Sequence, residues 1–569
     1  MSRLRAASVT ITTDMTVRQI LGEHATVVEV LRAGGEANAD VEAYVESALP
    51  AGTGTDPSSG LVPTGADGRR RMTFAAWDAA ADRVAALFAG EGVGRGDVVA
   101  LLVPSSIDYA VAYQAAARLG AVTTGINLRL GAAEQASITS RLRPAVTVVD
   151  TAAVPADRVP PQSGRVLERR ALGAGPDAAV ALPPLSADDV VAVVWTSGST
   201  GVPKGALFDH RCLAAVAAGT DVLSHPGDRR LSPLPFAHVG YMTRPWDEIA
   251  HVVTTVIAPQ PWTAGEAIAL MAQERVTVGQ GVPTQWALVL EHPDLPGADL
   301  SALRIAGTGA ARVPPELVRA MRDRLGCPVV VRYTSTESSL GTSTDPGDPD
   351  EVVATTVGRP VPGVELAVVA EDGVPVPACE VGRIRLRSRA AMRGYVGDRG
   401  AGEPVDAVAT AAALDDEGWV TTGDLGYLGA DGNLRLVGRV TEMYIRGGYN
   451  VYPSEVEAVL GAHPAVQSAA VVGMPAPVLG EVGVAFVVPA PGEPPTLEEL
   501  RSWCSARLAD YKAPDRLELV DELPVTPMGK VDKRALAGRT PRTDPSGDPG
   551  AGLAAADSTP DPTTTKVGR

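Results

Sequence analysis

Helix-like and strand-like patterns alternate through most of this chain, and that alternation constrains the fold more than any single residue does. In "MTFAAWDAAADRVAALFAGEGVGRGDVVALLVP", beginning at Met72, apolar residues recur at i, i+3 and i+4, and a glycine-containing turn then leads into a Val/Leu run. "SIDYAVAYQAAARLGAVTTGIN" repeats the rhythm, and "PAVTVVD", "DVVAVVW", "HVVTTVIA" and "LRIAGTGA" continue it, with helical patterns such as "PPELVRAMRDRLG" between them. Strands that read as continuous apolar runs are buried on both faces. A sequence of this kind predicts α/β architecture with helices packed over mostly parallel sheets.

The rhythm changes near residue 357. "VGRPVPGVELAVV" and "GVPVPACEVGRIRLRS" are short alternating strands with Gly/Pro turns, so a β-rich subdomain is expected there. "GYLGADGNLRLVGR" reads as a hairpin with a DG turn, and a boundary is expected at Arg439. Beyond it, "SEVEAVLGAHPAVQSAAVVGMP", "EVGVAFVVPA" and "TLEELRSWCSARL" form a compact α+β segment. The expected division is therefore an N-terminal extension of open role (1–60), a large domain (61–438), a small C-terminal domain (439–537) and a tail (538–569). The tail is rich in Pro, Gly, Ser and Thr, lacks large apolar residues and is expected to be disordered.

Composition narrows the function classes. A formal charge of -17 argues against nucleic acid or an anionic membrane as the main partner, while leaving room for a local positive pocket. The N-terminus lacks a signal-like apolar run and no stretch reaches the ~18 apolar residues of a membrane span, so a cytoplasmic location is expected. Cys212, Cys327, Cys379 and Cys504 are scattered without a C-x-x-C pair, so reduced thiols are expected. Of the 7 histidines, only His238, in "PFAHVG", stands in a suggestive setting.

The sharpest local feature is "WTSGSTGVPKG" (195–205), directly after a Val-rich strand pattern. A loop of Gly, Ser and Thr can turn several N–H groups toward one anion, and Lys204 adds a point charge. Phosphate is the natural ligand. The Walker pattern nevertheless fails, because Lys204 is preceded by Pro203 and followed by Gly205.

Four further stretches join this loop: "YTSTE" (333–337), "TTGD" (421–424), "GRVTEMYIRGGYNVYPSEVE" (438–457) and "LPVTPMGKVDKRAL" (523–536). With the loop they form five motifs in one order, and over about residues 70–537 the chain resembles the adenylate-forming superfamily. That superfamily includes acyl-CoA synthetases, peptide-synthetase adenylation domains and luciferases, and the chain most resembles an AMP-forming acyl-CoA synthetase. The resemblance implies ATP, Mg2+ and coenzyme A as cofactors. It implies that Thr196, Ser197, Gly198, Ser199, Thr200, Gly201 and Lys204 hold the ATP phosphates, with Thr200 among the catalytic groups. Tyr333 and Gly309 would lie at the adenine, Thr336 near the phosphate, and Glu337 on Mg2+ as a catalytic residue and the metal ligand. Asp424 and Arg439 would hold the ribose, Lys530 would bridge the substrate carboxylate and the α-phosphate, and Gly447 and Gly448 would border the thiol tunnel.

Taken alone, these residues have plainer readings: a surface loop, a solvent-facing glutamate, an Asx-turn aspartate, a solvated lysine. The acyl wall is expected from "PFAHVGYM", "GVPTQW" and "AGTGAA", with His238, Tyr241, Met242, Trp286 and Gly307 as lining, although some of these could simply fill the core. No Lys or Arg stands in those three segments, which disfavours a second substrate carboxylate and favours a fatty or aromatic monocarboxylic acid.

The implied reaction forms an acyl-adenylate, then transfers the acyl group to CoA as the C-terminal domain turns about 439–441. The chain departs from the family pattern at Thr441, where Asp or Lys is usual, at Arg383, where Glu is common, and over the first 35 or so residues. The nearest rival reading loads a carrier-protein phosphopantetheine in trans. A non-catalytic acyl or nucleotide sensor would predict erosion of Lys204, Glu337, Asp424 and Lys530, all of which are present. Chain length, acceptor and oligomeric state, a dimer included, stay open at this point.

Overall fold

The computed structural model describes residues 24–47, 60–176, 181–196, 203–311, 313–526 and 530–539. Most of the tail expected at 538–569 lies outside the described residues, as do 1–23 and 48–59. The described chain forms four sheets with helices between them, in the α/β arrangement that the alternating pattern predicts.

A six-stranded sheet runs, in spatial order, Arg165–Glu168, Val146–Val149, Val98–Leu102, Val122–Gly125, Val190–Thr196 and Lys204–Asp209. Its pairings are parallel except the last, where Val190–Thr196 and Lys204–Asp209 form an antiparallel pair. Every residue of Val98–Leu102 is buried, which is why that stretch carries no polar alternation. A nine-stranded sheet has Val329–Tyr333, Ile305–Gly309, Val278–Gly281, Arg229–Ser232 and Thr254–Ile257 as its parallel centre. The helix Ile107–Arg118 is buried over its entire length, so a one-sided apolar stripe would serve no purpose there.

The N-terminal segment, whose role the sequence leaves open, packs against the large unit. Thr26 caps the helix Val27–Ala37 through a reciprocal box with Glu29. Strand Glu42–Ser47 then enters the nine-stranded sheet, parallel to Thr254–Ile257 and antiparallel to Arg69–Thr73. Val27, Val30 and Leu31 are fully buried in the same core as Trp77 and Trp246. The described part of 1–60 is thus woven into the large unit rather than appended to it.

The β-rich region appears as an antiparallel sheet of Val364–Val369, Gly382–Ser388, Trp419–Leu428 and Leu434–Arg439. Gly432 has φ 75°, the left-handed conformation that its DG turn requires. At Arg383, where the family commonly has Glu, the side chain pairs with exposed Glu371 at 3.3 Å. The C-terminal unit pairs Tyr444–Arg446, Tyr449–Val451, Gly480–Pro489, Val466–Ala476 and Arg516–Leu519. It has a core of its own around Val451, Val456, Leu460, Val471, Leu500 and Cys504. All four cysteines are free thiols, and only Cys379 is exposed. Among the described residues no helix is long and apolar enough to cross a membrane.

Leu31→Ala is expected to destabilise the large unit by about 2–5 kcal/mol, the usual cost of emptying a closed leucine site. Denaturant unfolding measures this. A change near zero would show that the helix is peripheral to the fold.

Candidate active site

Two adjoining strands position the phosphate-loop lysine. Thr196 and Lys204 face each other in register at the mouth of an antiparallel pair, so the loop between them is closed at its base. Ser197, Gly198, Ser199, Thr200 and Gly201 lie outside the described residues. The Lys204 ammonium stands 5.3 Å above the ring of Tyr395. The Tyr395 hydroxyl in turn donates to Glu337 Oε1 at 2.7 Å, and the Glu337 carbonyl accepts from the Met392 N–H at 2.8 Å. Lysine, tyrosine and glutamate thus meet at one corner. Burial, with Glu337 nearby, pushes the Tyr395 phenol well above its ordinary value, so it stays a donor.

Asp424 forms the second centre. It lies opposite Arg439 in the hairpin register, and Arg439 Nε approaches its Oδ1 at 2.9 Å. Tyr333, ending a strand of the nine-stranded sheet, donates its hydroxyl to Asp424 Oδ2 at 2.8 Å. Burial raises the Asp424 pKa, against the lowering pull of Arg439 and Tyr333. Thr336 precedes Glu337 on the turn beyond Tyr333. Gly309 belongs beside them for a steric reason: a Cβ there would come within 2.3 Å of the Arg332 carbonyl oxygen.

Lys530 connects these centres. Its backbone is clamped to Thr526, whose N–H donates to the Lys530 carbonyl at 2.6 Å and whose hydroxyl accepts from the Lys530 N–H at 3.3 Å. Burial lowers the ammonium pKa and Arg439 lowers it further, while Asp424, Glu442 and Glu337 oppose. His238 senses the same charge: burial, then Lys530, pushes its imidazole down to about 4. Lys530, almost a hundred residues beyond Arg439 in sequence, thus lies within electrostatic reach of Asp424, Glu337 and His238.

His238 caps the short helix Val239–Met242, its Nδ1 accepting from the Gly240 N–H at 3.2 Å. Tyr241 is buried, stacked on Phe236 and linked by its hydroxyl to the Tyr44 hydroxyl at 3.1 Å. The Met242 sulfur accepts from the Tyr109 hydroxyl at 3.0 Å, and its carbonyl accepts from Tyr113 at 2.8 Å. Trp286 lies over Gly279 and Gly281 and donates Nε1–H to the Gly307 carbonyl at 3.1 Å. It therefore ties two of the three expected wall segments together from within the core. Gly447 and Gly448 form the two-residue turn between Tyr444–Arg446 and Tyr449–Val451, both at positive φ (56° and 88°). Among the described residues that turn makes no hydrogen bond to the Asp424–Lys530 group, and a Cβ on Gly448 would meet open space.

Two contributors escape a sequence reading. Tyr395 is one, because its partner Glu337 is 58 residues away. Lys533, three residues after Lys530, bridges Glu442 at 2.7 Å and Glu457 at 2.8 Å, and so ties the catalytic-lysine segment to the chain just past Arg439. Only its position inside "GKVDKR" hinted at this.

A Gly/Ser/Thr run ending in Lys204, a carboxylate held by Tyr333 and Arg439, and Lys530 close to that carboxylate stand together as in an adenylate-forming enzyme. The chain belongs to the AMP-binding enzyme family, whose model matches residues 55–396, with the AMP-binding enzyme C-terminal domain matching 455–530. It is an ATP-dependent acid–CoA ligase of the AMP-forming type. It is 37% identical over 501 residues to the 3-[(3aS,4S,7aS)-7a-methyl-1,5-dioxo-octahydro-1H-inden-4-yl]propanoyl:CoA ligase of Mycobacterium tuberculosis, covering 83% of this chain and 94% of that protein. It is 35% identical over 478 residues to the feruloyl-CoA synthase of an Amycolatopsis species, covering 82% and 93%. The crystal structure of ATP-bound MatB from Rhodopseudomonas palustris superposes with TM-score 0.77 at 26% identity, covering 90% of this chain and 98% of that one.

Ligases of this type use ATP, Mg2+ and CoA. The donor set fits Mg2+, since Glu337 presents a carboxylate beside a phosphate-binding loop and phosphate oxygens complete the hard-oxygen shell this ion prefers. When bound, the ion would offset charge on the phosphates.

Two measurements check this geometry. Asp424→Asn is expected to raise KM for ATP about 10- to 100-fold, the loss of charge-assisted hydrogen bonds to a diol. An NMR titration of the histidine rings is expected to find His238 neutral down to about pH 4. A midpoint near the ordinary ~6.5 would mean that the ring is solvated.

Proposed function

We propose that the enzyme activates a fatty or aromatic monocarboxylic acid as its acyl-adenylate and passes the acyl group to CoA, with Lys530 as the adenylating cation. One observation carries the proposal: the Lys530 charge is felt by Glu337, Asp424 and His238, residues from three separate stretches of the chain. The substrate carboxylate and the α-phosphate are both anionic, and bringing them together is the main barrier for a reaction that needs little covalent help from the protein. A buried ammonium at their meeting point lowers that barrier as charge develops on the transferring oxygens.

In this reading Thr196, Ser197, Ser199, Thr200 and Lys204 hold the phosphates, with Gly198 and Gly201 keeping the loop backbone open. Tyr333, Gly309 and Thr336 border the nucleotide, Asp424 and Arg439 take the ribose, and Glu337 holds Mg2+. His238, held neutral, lies at the carboxylate end of the acyl pocket, which Tyr241, Met242, Trp286 and Gly307 shape. The carboxylate oxygen attacks the α-phosphorus and the bond to the bridging oxygen of pyrophosphate breaks. The C-terminal domain, 439–537, then turns about 439–441. Lys530 withdraws, the Gly447–Gly448 turn comes to the thiol, and the thiolate displaces AMP. Thr441 lies exposed on the turn after Arg439, whose carbonyl accepts from Glu442 and Met443, and those two bonds must break or re-form as the domain turns. We place the reaction in the cytoplasm, in keeping with an acid that arrives free and CoA as acceptor.

The test is carboxylate-dependent pyrophosphate release over fatty and benzoate-type acids, with and without CoA. CoA-accelerated release with loss of free thiol is the expected result. Release that CoA fails to accelerate would mean a carrier-protein acceptor, and silence across the panel would overturn the assignment. Lys530→Ala should slow adenylation about 10²- to 10³-fold while thioester formation from preformed acyl-adenylate persists. Because the lysine must be protonated and its pKa is lowered, kcat/KM for adenylation should fall with rising pH well before the ordinary lysine value of about 10.4. An alkaline limb at that ordinary value would contradict the buried setting.

A further inference from the structure

One carboxylate of the site is held by a neutral donor and has no cation beside it. Glu337 Oε1 accepts from the Tyr395 hydroxyl at 2.7 Å. Among the described residues its Oε2 has no hydrogen-bond partner, and no Lys, Arg or His nitrogen stands within ion-pair distance of either oxygen. Lys530 feels the charge without pairing to it. A half-buried carboxylate with one oxygen tied and the other free is suited to a cation from outside the chain.

Tyr395 is built to hold its oxygen still. The residue is 5% exposed and lies in the same core as Met392. Its N–H donates to the Thr410 hydroxyl at 2.9 Å, and its carbonyl accepts from the Asp406 N–H at 2.9 Å. The backbone of 393–396 pairs with the strand Lys204–Asp209. The Arg393 N–H donates to the Leu207 carbonyl at 2.8 Å, the Leu207 N–H to the Gly394 carbonyl at 2.9 Å, and the Val396 N–H to the Gly205 carbonyl at 2.8 Å. Just upstream, the Met392 N–H donates to the Glu337 carbonyl at 2.8 Å. Residues 392–396 thus grip Glu337 by backbone and side chain while fastened to the strand that begins at Lys204. The Lys204 ammonium stands over the face of the Tyr395 ring at 5.3 Å, so the phosphate-loop cation and the carboxylate share this one phenol.

Resting on the reading of Glu337 as the Mg2+ ligand, we infer that Tyr395 is a positioning residue, which pins one oxygen of Glu337 and so presents the other to Mg2+ beside the phosphate loop. Hydrogen bonds to a ligating carboxylate fix its orientation, and their loss costs about 10- to 100-fold in metal affinity. A phenol suits this task better than a cation would. Burial, with Glu337 nearby, keeps it protonated, so it remains a donor at every working pH. Being neutral, it orients the carboxylate without cancelling the charge that attracts the ion. Phenylalanine would fill the same core space and leave both Glu337 oxygens free to turn.

The experiment measures ATP binding by calorimetry without the acid, so that nothing turns over, once in saturating Mg2+ and once in excess EDTA. The ratio of the two Kd values is the gain that the metal supplies. Tyr395→Phe should cut that gain about tenfold while leaving the EDTA Kd unchanged. Glu337→Gln should cut it too, and the double variant should lose no more than Glu337→Gln alone, because both act through one carboxylate. A gain unchanged in Tyr395→Phe but reduced in Glu337→Gln, or losses that simply add in the double variant, overturns the inference and leaves the metal reading of Glu337 standing. A gain absent from the wild type, or unchanged in both single variants, overturns the two together. Kd values that worsen equally with and without metal in Tyr395→Phe, alongside a lower unfolding temperature, would show a merely structural hydroxyl and overturn the inference as well.

Discussion

The contact on which the active site depends is the clasp of Asp424 between Tyr333 and Arg439. Each partner comes from a different place: Tyr333 ends a strand of the nine-stranded sheet, while Asp424 and Arg439 face each other across the last hairpin of the β-rich sheet. A carboxylate buried this far is unfavourable unless its oxygens are paired, and here each oxygen has one partner. The pairing therefore fixes how the β-rich sheet meets the strand that ends at Tyr333. Arg439 is also the last residue of its strand, and the C-terminal unit begins directly after it. The same side chain that completes the clasp thus stands at the end of the β-rich sheet, where the chain passes into the C-terminal unit.

Electrostatics explain how an acidic protein handles an anionic reaction. The chain carries a formal charge of -17, yet Lys204, Arg439 and Lys530 gather around Glu337 and Asp424, the region to which we assign the phosphates and the acid. Each cation is held by a different means. Lys204 stands over the Tyr395 ring, Arg439 is paired to Asp424, and Lys530 is positioned by its clamped backbone with Lys533 anchored three residues on. Of the three, only Arg439 has a carboxylate within ion-pair distance among the described residues. The two lysines keep their charge available for substrate oxygens, which is the condition for stabilising a transition state rather than a resting ion pair.

What could be read in the sequence was what is local or what a motif marks. Continuous apolar runs gave buried parallel strands because such strands are covered on both faces, and the DG turn gave the hairpin that carries Asp424. Strand "EAYVES" escaped because it mixes charge with apolar residues and finds its partner, Thr254–Ile257, about two hundred residues later. Tyr395 escaped for the same reason, since a phenol becomes part of a site only through the glutamate it meets. The buried cluster at Asp247 was equally hidden. "TRPWDEIAHV" reads as an ordinary polar-flanked helix, and nothing local says that its arginine, aspartate and glutamate all point inward.

That inward-pointing cluster bears on how the large domain is built. The helix Pro245–Ala250 is buried throughout, and its two acidic residues face Arg230 from the nine-stranded sheet and Tyr44 from the N-terminal strand. Removing any one charge would leave another buried and unpaired, which is worse than having none. Replacing the whole set with apolar side chains would fill the same space without that risk. The set is instead a specific fastening: Asp247 takes Thr220, Ser224, Arg230 and Arg244 while Glu248 takes Tyr44 and Thr255, so helix, sheet and N-terminal strand satisfy one another's polar groups only in this one arrangement.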